Sequence, residues 1–125
     1  MNNSKRIQTL ALGLTLVCAS GIAQAVDSQG YGGGVASVRI NETSSDAYGT
    51  ERGNLVINEG GGVLRKYNIA GQACTRRPPS EQNMNILARM VGNAGIKLVP
   101  YYKGGGGNAR CLVGFDMLDT RVYLY

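Results

Sequence analysis

Two cysteines, Cys74 and Cys111, bracket the stretch that most limits what this chain can fold into. Between them come Pro78-Pro79, an amphipathic run from Ser80 to Val91, the glycines Gly92 and Gly95, an apolar run from Ile96 to Tyr102, and Gly104 to Gly107. Bonded to each other, the cysteines tie the strand before a helix to a strand after it. Such a bridge removes about 3 to 4 kcal/mol of denatured-state freedom on the chain-entropy account. The alternatives are two free thiols or half of a metal site. The chain holds no histidine and the pair lacks C-x-x-C spacing, which counts against a zinc or redox centre. Neither a metal nor a cofactor is expected.

Residues 1–25 have the form of a cleaved secretory signal. Lys5 and Arg6 make the basic start, Leu10 to Ile22 is apolar, and Ala23-Gln24-Ala25 is a small-x-small cleavage pattern. The apolar run is too short for the roughly 20 residues a spanning helix needs, so no membrane span is expected. Cys18 lies in this run, and a lipoprotein signal is a minor alternative. Without Lys5 and Arg6 the chain keeps 11 basic against 8 acidic residues, a net charge of +3. That mild excess is not the clustered basic face of a nucleic-acid binder. The basic pairs Arg65-Lys66 and Arg76-Arg77 read as solvated surface. An exported chain, secreted or periplasmic, suits a disulfide.

Along the remainder, residues 26–34 are glycine-rich and read as a flexible lead-in to a single disulfide-bonded domain, 35–125. Val35 to Asn41 alternates, with Ala36, Val38 and Ile40 on one face, as in a half-buried antiparallel strand. Asn41-Glu42-Thr43 matches the glycosylation sequon, but the leader does not tell a bacterial from a eukaryotic source and the match carries no weight. Thr43 to Gly53 reads as a loop. Leu55 to Ile57 and Val63 to Ile69 flank Gly60-Gly61-Gly62 and predict a hairpin. The second arm has no cleanly apolar face and reads as an edge strand or a partner-facing one.

Pro78-Pro79 followed by Ser80 marks a helix start, with Glu81 suited to the first turn. Met84, Leu87, Ala88 and Val91 follow helical spacing, and Ile86 and Met90 widen that face. The pattern predicts a helix over 80–91 covered on more than one side, by a curved sheet or by neighbouring subunits. Pro100 places its strand at an edge or bulge. Leu112 to Met117 and Arg121 to Tyr125 read as the last strands, turning at Leu118-Asp119-Thr120. The fold class is α+β: a mostly antiparallel sheet, or a small OB-like barrel of five to six strands with one helix.

Without histidine, Ser-His and Cys-His nucleophile systems are excluded. The acids sit at turns, where such residues form turns, and no dense acidic loop for calcium occurs. No catalytic residue is assigned. Seven tyrosines against one phenylalanine and no tryptophan favour polar recognition instead. Tyr101, Tyr102, Tyr123 and Tyr125, with Arg89 and Arg121, form the candidate binding surface; good strand formation by tyrosine is the competing explanation.

The segment Leu87-Ala88-Arg89-Met90-Val91-Gly92-Asn93-Ala94-Gly95, then Ile96-Lys97-Leu98-Val99, a loop and Cys111, resembles in layout the small exported glycan-binding B subunits of AB-type toxins, of the subtilase-cytotoxin and pertussis-toxin kind. It is also similar to other one-disulfide exported proteins. The resemblance implies an OB-like barrel in a ring oligomer that binds sugars. Three functions follow as expectations: a non-catalytic module that binds glycans or a cell surface, a structural subunit of an extracellular filament or matrix, and, as the least favoured, an Arg/Glu enzyme. A carbohydrate or protein partner and a homo-oligomer are expected, and nucleic acid is not.

Overall fold

The structure, a computed structural model, describes residues 26–121. The signal segment 1–25, Tyr123, Tyr125 and most of the expected last strand lie outside the described residues. Six strands, β1 (Ser28–Gln29), β2 (Gly34–Ile40), β3 (Gly53–Asn58), β4 (Leu64–Ile69), β5 (Ile96–Gly104) and β6 (Arg110–Asp119), and one helix, α1 (Glu81–Arg89), follow in the order β1-β2-β3-β4-α1-β5-β6. They form one sheet in the order β1-β5-β6-β4-β3-β2. All ladders are antiparallel except the contact of β4 with β6, which pairs Asn68 with Cys111 in parallel. The chain is therefore α+β with a mostly antiparallel, open sheet. An isolated bridge between Gly33 and Leu98 brings the start of β2 to β5, but no continuous ladder closes the sheet.

Where a flexible lead-in is expected, the chain makes hydrogen bonds along β5. β1 pairs with Tyr101 and Tyr102, Gly30 N–H donates to the Pro100 carbonyl at 2.9 Å, and Gly33 and Leu98 exchange two bonds. Lys103 adds an ion pair to Asp27 at 3.3 Å. Since Pro100 presents its carbonyl to this arm, its missing N–H falls on the same side, away from the β6 ladder. Its expected place at an edge is softened by two residues of β1. A bulge lies next to it, between Tyr101 and Tyr102.

Two expectations about faces are corrected. In β2 a register shift between Val35 and Ser37 makes Ala36 a bulge residue. The bulge turns Val35 to the core side beside Val38, which packs there as expected, while Ala36 and Ile40 stay exposed. β4 is not an edge strand, because it lies between β3 and β6. Its inward face carries Tyr67 and Ile69, both buried, and Arg65 stays at the rim beside Glu59. The polar look of that face came from counting a buried tyrosine and a neutralised arginine as surface.

The helix begins as expected: Ser80 Oγ accepts from Asn83 N–H at 3.2 Å, and Glu81 stands in the first turn. It is shorter than expected, ending at Arg89, with Gly92 in the left-handed region just beyond and its N–H donating to the Val35 carbonyl. Only Met84 and Leu87 are buried; Ile86 and Met90 are half-buried, and Ala88 and Val91 are exposed. The broad covered face is thus a narrow stripe, since the sheet meets the helix from one side. Leu55, Ile57, Tyr67, Ile69, Leu98 and Leu112 complete the core with it. The hairpin forms as predicted, β3 against β4, with Glu59 and Val63 closing the glycine tip. β6 continues through Leu118 and Asp119 where a turn was expected, because these residues still pair with Lys97 and Ile96.

The disulfide between Cys74 and Cys111 is present, with both residues buried and their Cα atoms 5.5 Å apart. It staples the loop after β4 to the start of β6. Gly105 packs against the Ala73 carbonyl and Cys111 Sγ, leaving no room for a side chain. No helix among the described residues is long and apolar enough to cross a membrane.

Candidate functional site

The turns from Glu42 to Arg52 are fastened to the sheet by a polar network. Asn41, itself buried, accepts from Arg39 Nε at 3.0 Å and donates to the Glu51 carbonyl at 2.8 Å. Glu51 in turn takes Asn54 Nδ2 at 3.0 Å and Lys66 Nζ at 3.2 Å. With its amide nitrogen engaged and the residue buried, Asn41 does not present the sequon for glycosylation in the folded protein. Arg52 N–H donates to the Ile69 carbonyl and Gln72 N–H to the Thr50 carbonyl, so this loop and the one after β4 are stitched together.

Between the two loops lies a cavity of about 540 Å³, lined among others by Tyr48, Arg52, Gln72, Thr75, Arg76 and Arg77. Its floor includes Ala70 and Cys74. Ala70 sits at φ 48°, a conformation that costs an L-residue roughly 1 to 2 kcal/mol, and the following Gly71 also has positive φ. This tight turn, followed by the bridge at Cys74, leads into Thr75, Arg76 and Arg77 of the lining. In the other loop, the Arg52 guanidinium carbon stands 4.6 Å from the centroid of the Tyr48 ring. The lining holds three guanidinium groups and no carboxylate. Neither Arg76 nor Arg77 has an ion pair or side-chain hydrogen bond among the described residues. Such a pocket can grip anions and polar rings. It offers no acid-base pair.

The residues chosen from sequence are spread out. Tyr101 is on the outer face of β5, its hydroxyl donating to Asp116 Oδ2 at 2.7 Å, and this bond holds its ionisation above the usual tyrosine range. Tyr102 turns to the core across the bulge, its ring 5.6 Å from that of Tyr67, with the Arg110 guanidinium over it at 5.1 Å. Arg89 is exposed in the last helical turn. Arg121 is paired with Asp119, Nη2 to Oδ2 at 2.7 Å. Hydrogen bonds from that guanidinium and the Arg121 backbone N–H pull the Asp119 carboxyl down to about 2. None of these residues lines the cavity.

Sequence reading passed over Tyr48, Arg52, Arg76 and Arg77, treating the first two as loop and the last two as solvated surface. One signal was available: Arg76-Arg77 sits between a bridging cysteine and Pro78-Pro79, where a backbone has little freedom. No group of three or more metal-ligating side chains occurs among the described residues. Compared with known proteins, the chain matches no family model, no curated protein and no solved structure.

Proposed function

We propose that this chain is an exported, non-catalytic binding module that recognises glycans. The observation that carries the reading is the cavity between the 42–52 and 70–78 loops. Its lining combines an aromatic ring, an amide, a hydroxyl and three guanidinium groups, with no carboxylate. Arginine stays protonated in proteins and a lone tyrosine or threonine lacks a base, so the pocket is equipped for holding rather than for proton transfer. Rings and polar tips of this sort suit a wet, hydroxyl-rich ligand. Export is supported by the disulfide, since such bonds persist in oxidising compartments.

The strand order supports an OB-like reading of the fold. Segment 28–40 lends its first part to β5 and its second to β3, and the helix stands between β4 and β5. A glycan array probed with the disulfide-intact protein tests the function. We expect retention on a defined saccharide class, reduced by Arg52→Ala. An array without hits, or release of reducing sugar from a retained glycan, ends the reading.

One observation favours assembly as the second reading. β2 ends the strand order, and Ile40 on it, like Val91 beyond the helix, is exposed. A structural subunit of a filament or matrix would use that edge. Light scattering that shows mass growing with concentration, together with an empty array, would decide for it.

A further inference from the structure

We infer that the pocket between the 42–52 and 70–78 loops takes a phosphomonoester group carried on a saccharide. This deepens the glycan-binding reading and rests on it. Arg52, Arg76 and Arg77 line one cavity of about 540 Å³ whose lining includes no acid. The nearest acid in sequence, Glu51, is occupied by Asn54 and Lys66 on the outer face of the sheet. Three exposed positive charges around a shared space make a local positive potential that favours an anionic ligand.

That count favours a multiply charged ligand over a singly charged one. A carboxylate sets one negative charge against three arginines. A phosphomonoester brings about −1.5 to −2 near pH 7 and three acceptor oxygens, which matches two or three forked donors. Bidentate pairing is the particular strength of arginine, and all three cations are arginine rather than lysine. The remainder of the lining fits the sugar. Gln72 and Thr75 can exchange hydrogen bonds with hydroxyls, and Tyr48 supplies an aromatic edge already stiffened by Arg52. The volume exceeds what a bare phosphate fills and lies within the range of small-molecule sites, roughly 300 to 1,000 Å³.

The pocket is also pre-shaped. Cys74 in its floor is bonded to Cys111, and Gly106 N–H donates to the Ala73 carbonyl at 2.8 Å, so the backbone just before Arg76 and Arg77 is anchored to β6 and to the loop that precedes it. Less ordering is then left for the ligand to impose.

Titration calorimetry of the disulfide-intact protein with glucose 6-phosphate, glucuronate, glucose and inorganic phosphate tests the inference. Glucose 6-phosphate is expected to bind tighter than the other three. Arg76→Gln with Arg77→Gln should weaken it about tenfold or more, the worth of one charge-assisted contact. Lys97→Gln, which removes a charge on the outer face of β5, should leave it unchanged. Because Arg76 and Arg77 are exposed, their variants should keep the urea midpoint, which certifies folding. Equal binding of glucuronate, or equal weakening by Lys97→Gln, overturns the inference. Inorganic phosphate binding as tightly as the sugar ester would overturn its saccharide part and leave an anion pocket. Array hits on neutral glycans with no response to glucose 6-phosphate would sink this inference while the glycan reading stands.

Discussion

Tyr67 Oη donates to Glu59 Oε1 at 3.2 Å, and the same carboxylate meets Arg65 Nε at 3.4 Å. The Glu59 side chain is only 5% exposed, so a buried charge at the end of β3 is held by one neutral and one charged donor. Both come from β4, and the pairing fixes the register of the hairpin near its glycine tip. Gly30 of the N-terminal arm runs directly against the Tyr67 hydroxyl.

Tyr67→Phe keeps the ring and removes one donor from Glu59. The expected loss is about 1 to 3 kcal/mol, the cost of leaving a buried acceptor short of a partner. Urea denaturation measures it, and an unchanged midpoint would show that the bond contributes nothing. Burial, then the Glu59 charge and hydrogen bond, raise the Tyr67 ionisation above its ordinary value of 10.0, with Arg110 opposing. The folded state therefore keeps this proton to higher pH than the unfolded chain. Stability from this group is whole below pH ~10 and is lost as pH climbs toward the folded value. The phenylalanine variant should show a flatter decline above pH ~10, and an identical alkaline slope would refute the linkage.

Reduction of the bridge, or Cys74→Ser with Cys111→Ser, should cost about 2 to 5 kcal/mol, since the bond closes a span of 37 residues in sequence. The pocket should suffer with it, because Cys74 is part of its floor. Thermal melts with and without reductant give the first quantity. A reduced protein with the melting temperature of the oxidised one would contradict the assignment of a structural role.

For the helix, Leu87→Ala should cost about 2 to 5 kcal/mol, as Leu87 is fully buried in the core. Ser80→Ala should cost about 0.5 to 2 kcal/mol through the lost cap. Ala88→Ser, on the exposed side, should stay within ~0.5 kcal/mol in the monomer. A large effect at Ala88 together with a change in mass by light scattering would mean that a second subunit covers that side.

Asp119 should titrate with a midpoint of about 2 by NMR, because hydrogen bonds from Arg121 favour its ionised form. Its unfolded carboxyl titrates near ~3.9, so what the pair adds is present above that pH and disappears as pH falls through the folded value. The pair is exposed, and the effect on global stability should be small. Arg121→Ala should return the midpoint toward ~3.9, and a midpoint that stays low would point to another donor.

The cysteine pair, the helix start at Ser80, the glycine-tipped hairpin and the apolar run that forms β5 were legible because each depends on residues close in sequence or on covalent chemistry. Helical spacing marked Met84 and Leu87 correctly. It also marked Ala88 and Val91, whose side chains stay exposed even though Val91 bridges to Val35 of β2, since periodicity reports which residues share a side and not what stands opposite. The bulge at Ala36 put Val35 on the core side in place of Ala36 while Val38 kept its expected place, because one inserted residue shifts the alternation across it and leaves no mark on residue type.

The pocket was hidden for a similar reason. Tyr48 and Arg52 come from one loop, and Arg76 and Arg77 from another some 25 residues later. What joins them is the pairing of β3 with β4 and the loop-to-loop bonds at Arg52 and Gln72, together with the clasp to Cys111. Residue identity by itself determined the local elements, the cross-link and the lack of histidine chemistry. Only tertiary structure decided which arginines line one cavity, because residues far apart along the chain are brought to one space by long-range pairing, whose geometry no local pattern encodes.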